Sequence, residues 1–228
     1  MFNIYNLMSD IISAFAVGIS ETFIGHPFNT AKVLIQNKKP WFGLPLKHYY
    51  RGVKYPLMSG TFFNMLVFPI KERSYQYTNS YFLSGILAGA IVTPGMFFID
   101  TFTIKRQTNQ PVGLHMFKGC KGFQSTMTRE MVALSTYFGT YHWMRDDQKY
   151  NTFISGGVAG LTNWTISYPL DVIRSRQIAQ RITIKEAINM GNFWKGFSIA
   201  ATRSVIVNAM SFTVFENCKK YFDLKFKD

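Results

Sequence analysis

Long stretches of this chain carry no charge. Ser74 to Ile99 is 26 residues without Asp, Glu, Lys or Arg, and Tyr150 to Leu170 is 21 such residues. Tyr55 to Ile70 and Met131 to Met144 are shorter runs of the same kind. About 20 mostly apolar residues are needed for a helix to cross a bilayer, so the first two runs are long enough and the others are marginal. The pattern predicts long helices over roughly 9–37, 53–77, 80–109, 123–146, 151–180 and 197–222. Short amphipathic stretches near 44–50, 113–119 and 183–191 are polar enough to lie on a membrane surface. The segment Asp146 to Asn151 reads as a polar connector.

The pattern repeats. Ala14 and Gly18 return as Gly85 and Gly89, and again as Gly156 and Gly160. Each pair leads, eleven residues past its last glycine, to Asn29, Asp100 and Asp171; 29 + 71 = 100 and 100 + 71 = 171. A fixed period means several copies of one structural unit that bury their apolar faces against each other. Small residues four apart let membrane helices approach closely, which accounts for these glycines without any chemistry. A second element recurs as Tyr50-Arg51-Gly52, Cys120-Lys121-Gly122 and Trp194-Lys195-Gly196. Seven residues past each glycine come Ser59, Arg129 and Arg203; twenty past come Glu72, His142 and Glu216. The expected architecture is an all-α membrane protein. Residues 1–228 form a single domain with six transmembrane helices in three homologous two-helix repeats, 8–77, 78–148 and 149–222, with pseudo-threefold symmetry. A soluble bundle of buried helices is the alternative.

Composition narrows the functional classes. The net charge is +13, which suits nucleic acid, anionic lipid or an anionic substrate. The basic residues are dispersed, and no nucleic-acid-binding module is apparent. Cys120 and Cys218 are isolated, and His26, His48, His115 and His142 have no metal-ligand pairing, so neither a disulfide framework nor a metal site is expected. No phosphate-binding glycine loop or nucleophile motif is present. An enzyme is not expected, nor a cofactor, and no secretory signal is evident.

Polar residues at membrane depth usually face one another or a water-filled path. In the third copy, Pro169-Leu170-Asp171-Val172-Ile173-Arg174-Ser175-Arg176 sets Asp171 and Arg174 on one helical face, just after a proline. The first copy has Pro27, Asn29 and Lys32. The second has Asp100, with Phe98 in the proline position, Thr103 at the first base and Lys105 at the second. This recurring motif resembles that of the mitochondrial carrier family: Pro, any, acid, two any, base, any, base. The resemblance spans essentially the whole chain, although the chain is short for the family, mainly in the matrix loops.

The resemblance implies that the acid of one copy pairs with the base of the next, closing the matrix side: Asp100 with Arg174, Asp171 with Lys32, and Asn29 with Thr103. Gln36 and Gln107 match the glutamine braces of that gate, and Ile178 does not. A cytosolic gate is implied at Glu72 with Tyr75, His142 with Arg145, and Glu216 with Lys219. There Glu72 would pair with Arg145, Tyr75 would donate to Glu216, and His142 would face Lys219 as a neutral filler. Substrate would bind at Ser59, Arg129 with Glu130, and Arg203. Glu21 shares a stripe with Ala14, Gly18 and Gly25 and has no assigned role.

The resemblance implies a secondary transporter that exchanges small anionic metabolites across the mitochondrial inner membrane by alternating access, with both termini on the intermembrane side. Two arginines in a low-dielectric cavity suit a carboxylate or phosphate. The pair Arg129-Glu130 resembles the amino-acid type of carrier. A cavity rich in bases (Lys32, Lys105, Arg129, Arg174, Arg176, Arg203) suits phosphates. The short loops and degenerate motifs are similar to those of a giant-virus-encoded carrier that handles nucleotides and deoxynucleotides, which would act in a host mitochondrion. The expected partners are a nucleotide and membrane lipid, including cardiolipin, with no nucleic acid, and the expected state is a monomer. An amino-acid-type carrier and a carrier-fold protein that no longer transports are the alternatives.

Overall fold

Six helices are long enough to cross a bilayer, and sequence signals mark where several begin and end. The computed structural model describes the backbone of residues 4–113, 119 and 121–225. The side chains of 4–15, 59–65, 68, 152, 153, 208, 209, 211–213, 215, 216, 219, 220 and 222–225 lie outside the described residues. The elements are α1 (Ile4–Gln36), α2 (Leu46–Tyr49), α3 (Lys54–Thr78), α4 (Tyr81–Gln107), α5 (Phe123–His142), α6 (Thr152–Gln180), α7 (Ile184–Asn189) and α8 (Phe197–Lys225). At 1.5 Å per residue, even α5, with 20 residues, matches the ~30 Å hydrocarbon thickness.

Ser80 caps α4 by accepting from the Leu83 N–H, and Asn151 caps α6 by accepting from the Ile154 N–H at 2.8 Å. Thr183 and Glu186 form a reciprocal capping box on α7. The Thr183 backbone N–H and hydroxyl both donate to the Glu186 carboxylate, holding its pKa below the usual range. The helix expected to run to 146 instead ends at His142 and continues as a π-helical turn, Trp143–Asp147. The wider turn is closed by the Gln148 N–H donating to the Trp143 carbonyl. Of the three expected short amphipathic helices, two are α2 and α7; residues 114–118 of the other lie outside the described residues.

Gly52, Gly122 and Gly196 precede α3, α5 and α8, with φ of 83°, 95° and 87°. A side chain at any of the three would be strained by this left-handed conformation. The same sharp turn therefore opens the second helix of every copy.

Neighbouring helices pack in chain order around a ring: α3 on α4, α4 on α5, α5 on α6, with α8 returning to α1. Tyr168 and Val172 of α6 meet Ala200 of α8, flanked by Trp164 and Phe197. Where α1, α4 and α6 converge, Val33, Phe97, Ile104, Ile178 and Ala179 form the other apolar cluster. Polarity is inverted relative to a soluble bundle. Leu87, Ile91, Val158 and Leu161 are exposed, whereas Glu130, Asp171 and Arg174 are 4%, 1% and 7% exposed. Such an apolar exterior fits hydrocarbon. Among the described residues only α4 is apolar enough throughout to be recognised as a span from composition, with mean hydropathy 1.9 over its best window. The other long helices carry inward-facing polar residues that lower that average.

The α4–α5 contact is the tightest use of small residues. A Cβ on Gly85 would lie 2.5 Å from the Ser135 Cα, and one on Gly89 would lie 2.6 Å from the Met131 Cα. No described atom comes within 4 Å of such a position on Gly156 or Gly160. The third-copy glycines therefore make no comparable approach to described atoms. We predict that Gly89→Val, which would press a side chain into backbone, lowers stability by about 3 kcal/mol or more. The thermal unfolding midpoint of the purified protein in detergent checks this, and an unchanged midpoint would contradict the packing.

Candidate functional site

One carboxylate organises the end where α1, α4 and α6 meet. Asp171, two residues past Pro169 and its missing backbone donor, accepts from the Lys32 ammonium at 2.9 Å and from the Gln36 amide at 3.0 Å. Its other oxygen accepts from Arg174 at 2.8 Å. Arg174 also donates to Asp100 of α4. The charges thus form one chain, Lys32–Asp171–Arg174–Asp100, across three helices.

The threefold pattern breaks at the uncharged position. The Thr103 hydroxyl donates to the Ile99 carbonyl of its own helix at 2.8 Å, and Asn29 and Thr103 are not bonded to one another. Gln107 donates to the Thr30 hydroxyl at 3.1 Å rather than to that pair. Gln36 does brace a charged residue, and Ile178 sits in the apolar cluster.

Behind the charge chain lies a cavity of 310 Å³. Arg129, Arg203 and Trp164 line it together with Asn29, Lys32, Asp100, Thr103, Asp171 and Arg174. Arg129 donates to Glu130 at 2.5 Å, and Glu130 lies 3.5 Å from Arg174. Glu130 thereby joins the cavity arginine to the charge chain, a link that spacing along one helix does not reveal. The Trp164 ring lies 5.1 Å from the Lys32 ammonium and 5.8 Å from the Arg129 guanidinium, within cation–π range. Arg203 of α8 rests on Gly25, where a Cβ would be 2.8 Å from the Arg203 Nε. Glu21, one turn along α1, exerts an attractive field on it. The Nε atoms of Arg129 and Arg203 are buried without a hydrogen-bond partner among the described residues. The Ser59 side chain lies outside the described residues.

Two bases expected in the cavity are elsewhere. Arg176 is fully buried and donates to the carbonyls of Gln36, Ala187, Gly191 and Asn192. Lys105 donates to the Ala179 carbonyl at 3.1 Å and to Gln110. Both side chains satisfy backbone carbonyls near helix ends, as cations often do.

The opposite end differs from expectation. Glu72 pairs with its neighbour Lys71, not with Arg145. His142 lies between Lys71, at 3.3 Å, and Asp146, at 2.9 Å. Tyr75 stacks on Tyr81, which stacks on His142. The side chains of Glu216 and Lys219 lie outside the described residues, so the Tyr75–Glu216 and His142–Lys219 expectations do too. Lys71 stands just before Glu72, where the other two copies carry Tyr141 and Phe215, and its contacts with His142 and the Tyr81 ring were not expected.

A ring of helices with an apolar exterior, a polar interior cavity and a charged closure at one end defines a membrane transporter. Known proteins bear out the class. The family model for mitochondrial carrier protein matches residues 145–226. The chain is 26% identical to mitochondrial substrate carrier family protein L of Dictyostelium discoideum, over 94% of this chain and 96% of that protein. It is 26% identical to the mitochondrial carnitine/acylcarnitine carrier protein of Mus musculus, over 90% and 91%. It is also 26% identical to the mitochondrial basic amino acids transporter of Rattus norvegicus, over 73% and 70%.

Over most of its length the chain is similar to proteins of the mitochondrial carrier family, whose model matches its third copy. It is a six-span, multi-pass protein of the mitochondrial inner membrane that transports small metabolites, and the family's members are transporters rather than enzymes.

Breaking one partner of a buried ion pair leaves a charge uncompensated. We predict that Lys32→Ala or Asp171→Ala alone costs about 3–5 kcal/mol of stability. The double variant should cost clearly less than the sum, because the two residues interact directly. Thermal unfolding of the three variants measures this, and strictly additive losses would show that the charges act independently.

Proposed function

We propose that the protein carries a small zwitterion, a metabolite with a carboxylate and its own positive charge, of the amino-acid type. The observation that carries this reading is that each cation of the cavity wall has an acidic neighbour, two of them (Asp100 and Asp171) in the wall and two (Glu130 and Glu21) behind it. Lys32, Arg129, Arg174 and Arg203 are matched by Asp171, Glu130, Asp100 and Glu21. A cavity balanced in this way favours a ligand that brings both signs over a polyphosphate, which would need a surplus of cations. The unpartnered Nε donors of Arg129 and Arg203 suit the carboxylate. Trp164, which lines the cavity, suits the cationic group. The named substrates of two relatives, carnitine and basic amino acids, belong to the same chemical class.

A nucleotide is the second reading, favoured by the four cations that line one cavity. Its support weakens because Lys105 and Arg176 do not line that cavity. Exchange by alternating access is proposed on the same basis, with the charge chain as the matrix gate and Gln36 as its brace. The residues Asn29 and Thr103 complete that gate only as uncharged spacers. The protein is proposed to act as a monomer, since the cavity lies within one chain. Cardiolipin is a proposed lipid partner, its phosphates suited to the helix N-termini behind Arg51-Gly52, Lys121-Gly122 and Lys195-Gly196.

A thermal-shift screen of the purified protein with L-lysine, L-arginine, carnitine, ADP and dATP separates the readings. At a hundred times its Kd a ligand of the folded form adds about 2.7 kcal/mol. A zwitterion should raise the unfolding midpoint, the two nucleotides should not, and Arg203→Ala should remove the response. Stabilisation by nucleotides alone would establish the second reading. Proteoliposome uptake of the stabilising compound then tests transport itself.

A further inference from the structure

We infer that His142 is a proton-binding site that ties α3 to α5 when neutral and releases them when protonated, making the outer gate sensitive to the pH of the intermembrane space. The tie is a chain of three side chains. An ammonium group has donors and no acceptor, so the Lys71 contact at 3.3 Å requires an unprotonated Nε2 on His142. The ring proton then resides on Nδ1, which donates to Asp146 at 2.9 Å. Lys71 is 3% exposed, lies 5.3 Å from the Phe138 ring and 5.5 Å from the Tyr81 ring, and pairs with Glu72. Its ammonium is thus buried beside the His142 ring. The His142 ring is stacked on Tyr81 at 3.5 Å with an interplanar angle of 2°.

A second proton on His142 would place an N–H donor against the Lys71 ammonium and remove the ring acceptor that joins them. The charged and titratable groups around His142 decide which conformation that proton favours. Among the described residues they are, from α3, Lys71, Glu72 and Tyr75; from α4, Tyr81; from the π-helical turn, Arg145, Asp146 and Asp147; from α5 itself, Tyr141. The first three turns of α6 bring no charged residue.

Asp146 is four residues from His142 on the same segment, so it attracts the proton equally whether or not α3 is near. An interaction common to both states does not shift the balance between them. Only the α3 groups change distance. Of these, Lys71 is at contact distance and buried, while Glu72 is 64% exposed and already paired with Lys71. Solvent screens the exposed carboxylate more than the buried ammonium, so repulsion from Lys71 prevails. Protonation therefore favours separation of α3 from α5. A cavity of about 540 Å³, lined by Tyr75, Tyr81, His142 and Asp146 among others, gives protons a route to the ring.

The test needs no substrate, only a change of pH, and uses the full chain in lipid nanodiscs. Nitroxide labels go on Tyr77→Cys and Gln148→Cys, both exposed, in a background with Cys120→Ser and Cys218→Ser. Pulsed electron–electron resonance reads the distance distribution at pH 8 and at pH 5.5, across the interval in which imidazoles titrate. The wild-type background should show a single short distance at pH 8 and gain a longer component at pH 5.5. His142→Gln, whose amide oxygen still accepts from Lys71, should stay short at both. Lys71→Met, which removes the opposing charge, should give the same distribution at both pH values and serves should the glutamine variant fold poorly. A distance in the wild-type background that ignores pH, or a His142→Gln response equal to the wild-type one, would overturn the assignment.

Discussion

The arrangement of the inner end depends on Asp171 holding Lys32 and Arg174 at once. The carboxylate is 1% exposed, and a charge so placed is tolerable only when paired and hydrogen bonded. Gln36 supplies a further donor, so each oxygen of Asp171 is used. Once Asp171 is fixed, α1 is located by Lys32, and α4 by the Asp100 that Arg174 reaches. Apolar packing of Val33, Phe97, Ile104 and Ile178 fills the space around the charges but has no directionality of its own. The register between helices at this end therefore comes from the ion chain.

Glu130 extends that chain into the cavity. It contacts Arg129 and lies within range of Arg174. A ligand that takes over Arg129 would leave Glu130 free to compete with Asp100 for Arg174. Occupancy and closure thus share one set of charges, which is the physical requirement for coupling between them.

Much of the fold was legible in the sequence because symmetry multiplies weak signals. Asp171 and Arg174 alone are an ordinary helical pair, but their recurrence near 29 and 100 made the helix ends convergent. The turns at Gly52, Gly122 and Gly196 were readable for the same reason. What failed to be legible was orientation. Arg176 and Lys105 sit at motif spacing, yet they turn away from the cavity toward carbonyl groups, because the ends of α1 and α6 leave acceptors unsatisfied there. Lys71 was invisible because its partners, His142 and the Tyr81 ring, lie on other helices. Glu21 was visible but unassigned until α8 brought Arg203 within reach of its field.

Arg176 has a consequence for how little connecting chain this protein needs. Its guanidinium gathers the last carbonyl of α1, two carbonyls around the end of α7 and one in the segment before α8. Three separate pieces of backbone are thereby stapled from within a helix, by a side chain with no exposure. Linkers anchored in this way need not carry a miniature core to stay ordered. They can be pared to the minimum that spans the distance, because the anchor resides in α6. The brevity of the loops and the burial of one arginine are thus two aspects of the same design.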